Sequence, residues 1–338
     1  MEIVRVDPFD EAAVTAWHDT VHAADVLGRE EWATPWTLAE TLVAVQAAEN
    51  DLARDQFIGL EGGRTVVAGE VRRSLVDNLT HAQIQVYTHP DHSRLGHGSA
   101  MLAHVEEVAR AHGRTILDAE GAWAYDAGPE GRGSAPAEFL TRHGYRFGLG
   151  DVHRVLPLPV ADDLLESLAA DAAGHHAAYT IRSWVDAAPD DVVESLAALI
   201  AQLMVEAPTG DLQREPENAD VDAFRRSEEI TLKQGRTVYT SAALDADGTV
   251  VAYSNLATTV HGAEDAFQWG TLVRREDRGH RLGVAVKVAA LRLLQAGEVR
   301  ARRVHTWNAE VNRHMIAIND ELGYRPVERM GEFQKILV

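Results

Sequence analysis

The 338-residue chain contains no cysteine. This absence excludes disulfide bonds, thiolate metal sites and a cysteine nucleophile. The chain also lacks an apolar run of about 18 residues, the length that a membrane-spanning helix requires. Its first residues, Met1 to Asp7, do not have the basic-then-apolar order of a signal peptide. We therefore expect a cytoplasmic protein that does not enter membranes.

Basic residues are few compared with acidic ones. The 32 Lys and Arg residues stand against 52 Asp and Glu residues, which gives a formal net charge of -20. A surface of this sign disfavours nucleic acids and anionic membranes as partners. It would suit a small cationic substrate, although solubility alone is a sufficient reason for it. Hydrophobic residues make up 46% of the chain, enough to fill the cores of two ordinary domains.

The most informative feature is a strand followed by a glycine-rich loop and a helix, and it occurs twice. The first occurrence runs from Gln83 to Leu102, and the second runs from Phe267 to Ala285. A glycine-rich loop that opens a helix presents free backbone N–H groups, and the helix dipole adds positive potential at the same point. Both loops are therefore candidate phosphate-binding sites.

The remaining pattern also repeats, with hairpin signals around residues 61–63 and 245–248. We interpret the chain as two copies of one plan, with domains at 1–158 and 178–338 and a helical connector at 159–177. The predicted fold class is α/β of the α+β type. Each domain should have a mixed, mostly antiparallel sheet flanked by helices. A parallel strand pair in each copy should splay apart, because a strand–helix–strand crossover requires parallel strands. These pairs are 83–88 with 115–119, and 267–273 with 303–307.

The loops resemble the signature of the GNAT superfamily of N-acetyltransferases: Gln or Arg, two residues, Gly, any residue, then Gly or Ala. Copy one has Ser93-Arg94-Leu95-Gly96-His97-Gly98, and copy two has His280-Arg281-Leu282-Gly283-Val284-Ala285. Both copies depart from the signature at its first position. The tandem arrangement resembles that of the mycothiol synthase family. The resemblance implies acetyl-CoA (CoA) as cofactor and transfer of an acetyl group to an amine.

The resemblance also implies which residues bind the cofactor. In copy one they are Val86, Tyr87, Arg94, Leu95, Gly96, His97, Gly98 and Ser99. In copy two they are Leu272, Val273, Arg278, Gly279, His280, Arg281, Leu282, Gly283, Val284, Ala285, Asn308 and Asn312. A backbone N–H at the end of the strand before each loop would stabilise the oxyanion.

Catalytic side chains are harder to assign. Relatives often carry a tyrosine that acts as the general acid. The corresponding position is Asn319 in copy two and Leu140 in copy one. Glu264 or Asp265 could act as the base through a water, although a solvated strand end is the simpler explanation for both. Tyr324 could act as an acid or pack in the core. His89, His92 and His97 lie close in sequence, but we expect no metal site there, because the adjacent loop favours anions.

These observations predict an enzyme, a cytoplasmic transferase of the GNAT type that acts by direct transfer to a small amine. Copy two is expected to be catalytic, because only it has the pair Asn308 and Asn312. An acidic segment at 205–222 is expected to close over its acceptor, or to be a plain solvated loop. Two alternatives stay open, a non-catalytic acyl-CoA-binding or regulatory module and mycothiol synthase. We expect a monomer or a homodimer.

Overall fold

The computed structural model describes residues 1–47, 51–215, 219–262, 264–297 and 300–337. The chain forms two compact units. The first contains 1–151, 209–215 and 328–337, and the second contains the described residues of 152–208 and 219–327. Within the described ranges, no helix is both long enough and apolar enough to cross a membrane.

The first unit is built on a sheet in which antiparallel strands surround one parallel pair. Its strands are β1 (Glu2–Arg5), β2 (Leu52–Glu61), β3 (Arg64–Ser74), β4 (His81–Thr88), β5 (Ile116–Ala124) and most of the last strand of the chain, β12 (Arg325–Ile336). The strands are hydrogen-bonded in the order β1-β2-β3-β4-β5-β12. Another strand, β6 (Arg146–Pro157), begins in this unit and ends in the second.

Side chains cap the first turns of several helices of the first unit. The helices of this unit are α1 (Glu11–Val26), α2 (Leu38–Gln46), α3 (His97–Ala111) and α4 (Ala135–Arg142). Asp10 caps α1, and Thr37 forms a capping box with Glu40 at the start of α2. Met101 and Val105 of α3 pack on the sheet in a core with Leu117.

The second unit repeats this plan. Its strands are the end of β6, β7 (Thr180–Val185), β8 (Arg236–Leu244), β9 (Val250–Thr259), β10 (Asp265–Val273) and β11 (Arg303–Ala309), in the order β6-β11-β10-β9-β8-β7. Its helices are α5 (Asp162–Ala173), α6 (Val193–Ala201), α7 (Leu203–Glu206), α8 (Val221–Lys233), α9 (Leu282–Ala296) and α10 (Arg313–Leu322). The core between α9 and the sheet includes Leu256, Val288, Leu291 and Val304.

The predicted mixed sheets with splayed parallel pairs are confirmed. β4 and β5 are parallel over residues 81–83 and 116–118, and β10 and β11 are parallel over 265–267 and 303–305. In both copies the strands run on past the last paired residues. Each unit therefore contains a V-shaped opening that leads toward its glycine loop.

The two copies differ by a bulge. Nine residue steps separate His81 from the 3₁₀ turn that begins at Pro90, whereas ten separate Asp265 from the equivalent turn at Arg275. The extra residue lies in β10, where the pairing with β9 shifts between Gln268 and Thr271, whereas β4 pairs with β3 in one unbroken register. The second copy thus has a β-bulge at its opening, and the first copy does not.

The boundaries of the two compact units differ from those of the two sequence repeats. Nine residues of β12, Glu328 to Ile336, pair with β5, so the last strand of copy two completes the sheet of the first unit. This pairing satisfies the free edge that β5 would otherwise expose. The domain limits of 1–158 and 178–338 remain a prediction about the repeats, because the packing of the chain crosses them.

Candidate functional site

The phosphate loop of the first unit is open. Gly96 has a φ of 90° and forms the N-cap of α3, which begins at His97. A Cβ on Gly98 would lie 2.9 Å from Thr88 Oγ1, so glycine keeps the floor of the loop clear. Residues 93–96 are exposed, and the first N–H groups of α3 have no side-chain cap. This cradle fits a pyrophosphate group.

The loop of the second unit differs in the pairing of its charges. Arg275 and Arg278 both bond Glu206, at 3.2 and 2.8 Å, and Arg281 bonds Asp171 and Glu321. The helix α9 begins at Leu282, which is buried. The basic side chains of this loop are therefore already paired with carboxylates of the same unit.

The structure corrects the alignment of the second loop. When the starts of α3 and α9 are aligned, Gly96 corresponds to Arg281, and Ser93 corresponds to Arg278. Gly96 and Arg281 are both N-cap residues with a left-handed backbone conformation. Copy two therefore keeps the arginine at the first position of the signature, where we had placed His280. It lacks the first signature glycine, because Arg281 takes that position. Val284 and Ala285 lie inside the first turn of α9 rather than in the loop.

Backbone hydrogen bonds show which N–H groups face each opening. His89 N–H bonds Val66 O, and Arg274 N–H bonds Val251 O, so these donors point to the antiparallel neighbour. Because N–H groups alternate along a strand, those of Val86 and Thr88 face the first opening and that of Val273 faces the second. The same alternation turns the N–H groups of Tyr87 and Leu272 away from the openings.

Four carboxylates gather on one face of the first sheet, and we call them the acidic cluster: Asp118, Glu120, Asp151 and Glu332. Leu117 and Ala119 point into the core, so Asp118 and Glu120 lie on the other face of β5. Asp118 accepts hydrogen bonds from His81 at 3.1 Å and from Gln334 at 2.9 Å. Glu120 lies two residues beyond the last paired position and accepts a bond from Gln83 at 3.2 Å.

The pKa values of Glu120, Asp151 and Glu332 are raised in the folded protein. Burial raises the pKa of Glu332 to about 7; Arg214, which bonds this carboxylate, lowers it, whereas the three other carboxylates add to the rise. Burial and Glu120 raise the pKa of Asp151 to about 6. Solvent reaches Glu120, but the surrounding protein raises its pKa more than Arg72 and Arg214 lower it.

The same face of the second sheet is covered with rings, which we call the aromatic cluster: His153, Phe267, His305 and Trp307. His153 stacks on Trp307 with 4.4 Å between ring centroids, and Phe267 stacks on His305 at 5.6 Å. The buried His305 forms two hydrogen bonds through its ring. Its Nε2 lies 3.1 Å from Asp265 Oδ1, and its Nδ1 lies 2.8 Å from His153 Nε2. Counting from the paired starts of the strands, Trp307 stands where copy one has Glu120, and His305 stands where it has Asp118.

A separate cavity of about 480 Å³ lies between α6, α8 and the sheet of the second unit. Trp184, Trp269 and Tyr253 give it an apolar wall, and Glu228 and Arg225 supply charge. It adjoins the bulge, where Gly270 N–H donates to Asn255 Oδ1 at 2.7 Å. A Cβ on Gly270 would lie 2.5 Å from Tyr253 Oη, so the bulge requires glycine at this position.

Comparisons with known proteins agree with this geometry. Residues 21–124 match the model of the acetyltransferase (GNAT) family. A tandem GNAT protein from the clavulanic acid biosynthesis pathway, solved without acetyl-CoA, is similar over 99% of this chain and 98% of its own, with 28% identity and a TM-score of 0.81. The chain has a tandem GNAT fold. None of the curated protein sequences matches it significantly.

More distant structures share the fold alone. A GCN5-related N-acetyltransferase from Sphaerobacter thermophilus is 14% identical over 99% of this chain and 95% of its own, with a TM-score of 0.62. A glucosamine N-acetyltransferase region of a fungal multi-domain β-N-acetylglucosaminidase is 18% identical over 98% of this chain and 38% of that one, with a TM-score of 0.64. Together with the family match, the tandem GNAT likeness supports acyl transfer in general.

The structure places the predicted catalytic residues of the second GNAT copy away from its opening. Glu264 and Asp265 lie at the start of β10, where the strands are still paired. Glu264 is exposed and bonded to Arg302. Burial raises the pKa of Asp265, but hydrogen bonds from His305 and Arg303 outweigh this effect and hold it at about 2. A carboxylate held so firmly as the anion is a poor general base.

Tyr324 packs in the core of the second unit and is 3% exposed. Burial raises the pKa of its phenol, and no hydrogen-bond partner of its oxygen is found among the described residues. The packing alternative thus fits the structure, and an acid role does not.

The asparagine pair of copy two also has structural partners. Asn312 caps α10 by accepting a bond from Met315 N–H at 3.2 Å, and Asn308 accepts a bond from the buried Asn319 at 2.5 Å. Their presence is therefore explained without a cofactor, and it no longer favours copy two as the catalytic copy.

The predicted lid at 205–222 is divided between the units. Glu206 reaches the arginines of the second loop, as the lid hypothesis requires. Residues 209–215 instead belong to the first unit, where Leu212 packs on Gly148 and Arg214 bonds Glu332. Glu217, one of the acidic residues of the predicted lid, lies outside the described residues. A single lid over the second site is therefore not what the chain forms.

Sequence reasoning missed the acidic cluster. One signal was available, because the alternation Leu117-Asp118-Ala119-Glu120 puts two acids on one face of a strand that we expected beside the cofactor. Asp151 and Glu332 gave no such signal, since they come from segments far apart in sequence.

Proposed function

We propose that the protein is an acetyl-CoA-dependent N-acetyltransferase that acts on a small cationic amine, and that transfer takes place in the first unit. The observation that carries this proposal is the acidic cluster at the opening between β4 and β5. The family match at residues 21–124 lies in the same unit. The proposal moves catalysis from copy two, where the sequence alone had suggested it, to copy one.

The cofactor would be held by the open loop of the first unit. The N–H groups at the start of α3 would bind the pyrophosphate, with Gly96 and Gly98 leaving room for it and Arg94 adding charge. The bound acetyl-CoA supplies an activated thioester to the opening. The N–H groups of Val86 and Thr88 face this opening and are placed to stabilise developing negative charge on an oxygen.

The acidic cluster would bind and deprotonate the amine. A primary amine is an ammonium ion at neutral pH, so the four carboxylates attract it, and it must lose a proton before it can attack. Glu120 lies two residues beyond the last paired position of β5, inside the opening, and its raised pKa matches the requirement for a base. The raised pKa of Glu332 and Asp151 lets the cluster accept and pass on that proton near pH 7.

Tyr87 is a candidate hydrogen-bond donor in the same opening. Burial raises the pKa of its phenol, and the carboxylates of Asp25, Glu120 and Glu70 raise it further. The phenol therefore keeps its proton at neutral pH and could donate a hydrogen bond to a leaving thiolate. A thiol has a reference pKa of about 8.5, so this assistance is worth less than the base.

The second unit is a weaker candidate for catalysis. Its bulge, the retained Arg278 and the cavity of about 480 Å³ favour it, and Glu228 would be its base. Its aromatic cluster occupies the face that holds the carboxylates in copy one, however. We infer that this unit binds an acyl-CoA without turnover or serves as a structural partner.

Thiol release from acetyl-CoA with a panel of amines tests the proposal. The panel contains diamines, amino sugars, neutral aromatic amines and the amine acceptor of mycothiol synthase. We expect turnover with cationic small amines, and we expect Glu228→Gln to keep it. Tight binding of CoA with no turnover on any amine would favour the binding-module alternative. Loss of turnover in Glu228→Gln would return catalysis to the second unit.

A further inference from the structure

Three side chains converge beside the loop of the first unit. Glu61 ends β2, His92 ends the 3₁₀ turn, and His97 begins α3. One ligand atom from each of them lies within 4.8 Å of both others. These residues come from three different elements, so neither a turn nor a helix repeat explains why they meet.

The surroundings of His97 leave one of its ring nitrogens without a hydrogen bond among the described residues. Its side chain is 8% exposed, and its Nε2 has no hydrogen-bond partner among the described residues. That atom lies 3.4 Å from Glu61 Oε2. A buried ring nitrogen without a partner is costly, and a metal ion bound between His97 and Glu61 would remove this cost.

The neighbouring residues hold the site in place. The ring of His92 packs on those of His89 and His97, with centroids 5.8 and 6.3 Å away. Glu61 has 53% of its side chain exposed, so it can change rotamer to approach an ion. Tetrahedral bonds of about 2.0–2.1 Å would bring the ligand atoms to roughly 3.4 Å from one another, which needs only a small contraction.

We propose that Glu61, His92 and His97 form a binding site for a divalent transition metal, with Zn²⁺ as the best match. Two imidazole nitrogens and one carboxylate are a donor set that suits Zn²⁺, and a fourth position stays open. The bound ion would leave the site with one net positive charge. Copy one has Ser93 where copy two has Arg278, so the ion would restore a cation to this loop. The inference holds whether or not the first unit is catalytic.

Zn²⁺ titration of the whole protein against a competing chromophoric chelator tests the site. We expect one ion per chain with a dissociation constant in the low micromolar range or tighter, and Co²⁺ should give the visible absorption of a tetrahedral site. Glu61→Gln and His92→Asn should each weaken binding by at least about 10-fold. Both residues are at least partly exposed, so these variants should fold normally, and circular dichroism checks this.

The matched control is His112→Asn. His112 is exposed and lies at the far end of α3, about 22 Å from His97 along the helix. Zn²⁺ binding should be unchanged in this variant. Binding weaker than about 100 μM in the wild type, or an equal loss in His112→Asn and His92→Asn, would overturn the proposal, because either result means that only scattered surface histidines bind the ion.

Discussion

The two units place a histidine and an aspartate at equivalent positions, but in exchanged order. In copy one His81 of β4 bonds Asp118 of β5, whereas in copy two Asp265 of β10 bonds His305 of β11. The backbone pairing is the same, so the fold tolerates either order. What differs is the rest of that face of the sheet, which carries further carboxylates in copy one and stacked rings in copy two.

This difference underlies the proposed assignment of catalysis to the first unit. Carboxylates near one another and near solvent share raised pKa values, which suits a base that must release its proton near pH 7. Rings that stack on a buried histidine exclude water and fix its neighbours. Under the proposed function, the duplicated scaffold carries the acid–base side chains in copy one, whereas copy two carries stacked rings on the same face of its sheet.

The sharpest test of this comparison is Glu120→Gln. Because the amide cannot accept the proton of the ammonium ion, we expect kcat/KM for the amine to fall about 10²–10³-fold, with little change in CoA affinity. Steady-state thiol release and calorimetric titration with CoA measure the two effects. Glu264→Gln, which removes the carboxylate that the sequence suggested as the base of copy two, is the comparison variant. A large loss in Glu264→Gln with none in Glu120→Gln would reverse our assignment of the two copies.

A reciprocal exchange tests the two loops. Gly96→Arg gives copy one the residue of copy two, and Arg281→Gly does the opposite. Gly96→Arg should weaken CoA binding by about 10-fold or more, because a side chain enters the pyrophosphate cradle at a left-handed position. Arg281→Gly should leave the measured affinity unchanged. Calorimetric titration of both variants decides the matter, and the opposite pattern would place the cofactor in the second unit.

The pH dependence of stability distinguishes Glu332 of the acidic cluster from Asp265 of the second unit. The pKa of Glu332 is raised from 4.5 to about 7 in the folded protein, so its stabilising contribution is complete below about pH 4.5 and is lost as the pH rises to about 7. We expect this carboxylate to make the free energy of unfolding fall by about 1–3 kcal/mol over that range. Urea unfolding at pH 5 and pH 8 measures the fall, which should be smaller in Glu332→Gln.

Asp265 should show the opposite dependence. Its folded pKa of about 2 is below its usual 3.8, so its contribution is present above pH 3.8 and is lost as the pH falls to about 2. Asp265→Asn should therefore destabilise the protein at pH 7 and have no effect on the change between pH 5 and pH 8. Equal slopes for the wild type and Glu332→Gln would show that the acidic cluster is not coupled to folding.

The smallest effect is expected for Arg214→Ala. Arg214 bonds Glu332 and lowers the pKa of the cluster, so it competes with a cationic acceptor for the same carboxylates. Its removal should lower KM for the amine about 3-fold and move the rising limb of the pH–rate profile to higher pH. Arg302→Ala, which removes the exposed partner of Glu264, is the control. A higher KM in Arg214→Ala would indicate an acceptor with an anionic group.

The sequence by itself determined the duplication, the mixed sheets and their parallel pairs. These follow from local patterns, because hairpin turns, helix caps and the strand–helix–strand crossover leave few topologies open. The glycines of the first loop could also be found, since Gly96 needs a backbone conformation that other residues rarely adopt.

Only the tertiary structure brought together the acidic cluster on which the proposed assignment to copy one rests. Glu120, Asp151, Glu332 and Arg214 come from four distant parts of the chain, and their pKa values depend on mutual distance and burial rather than on residue type. The same is true of Glu61, which meets His92 and His97 only after β2 has been placed beside the loop. The exchange of β12 into the first unit has a similar origin, because strand pairing depends on which edge is free in the folded sheet. Local patterns specify the scaffold, whereas the chemistry depends on contacts between distant residues.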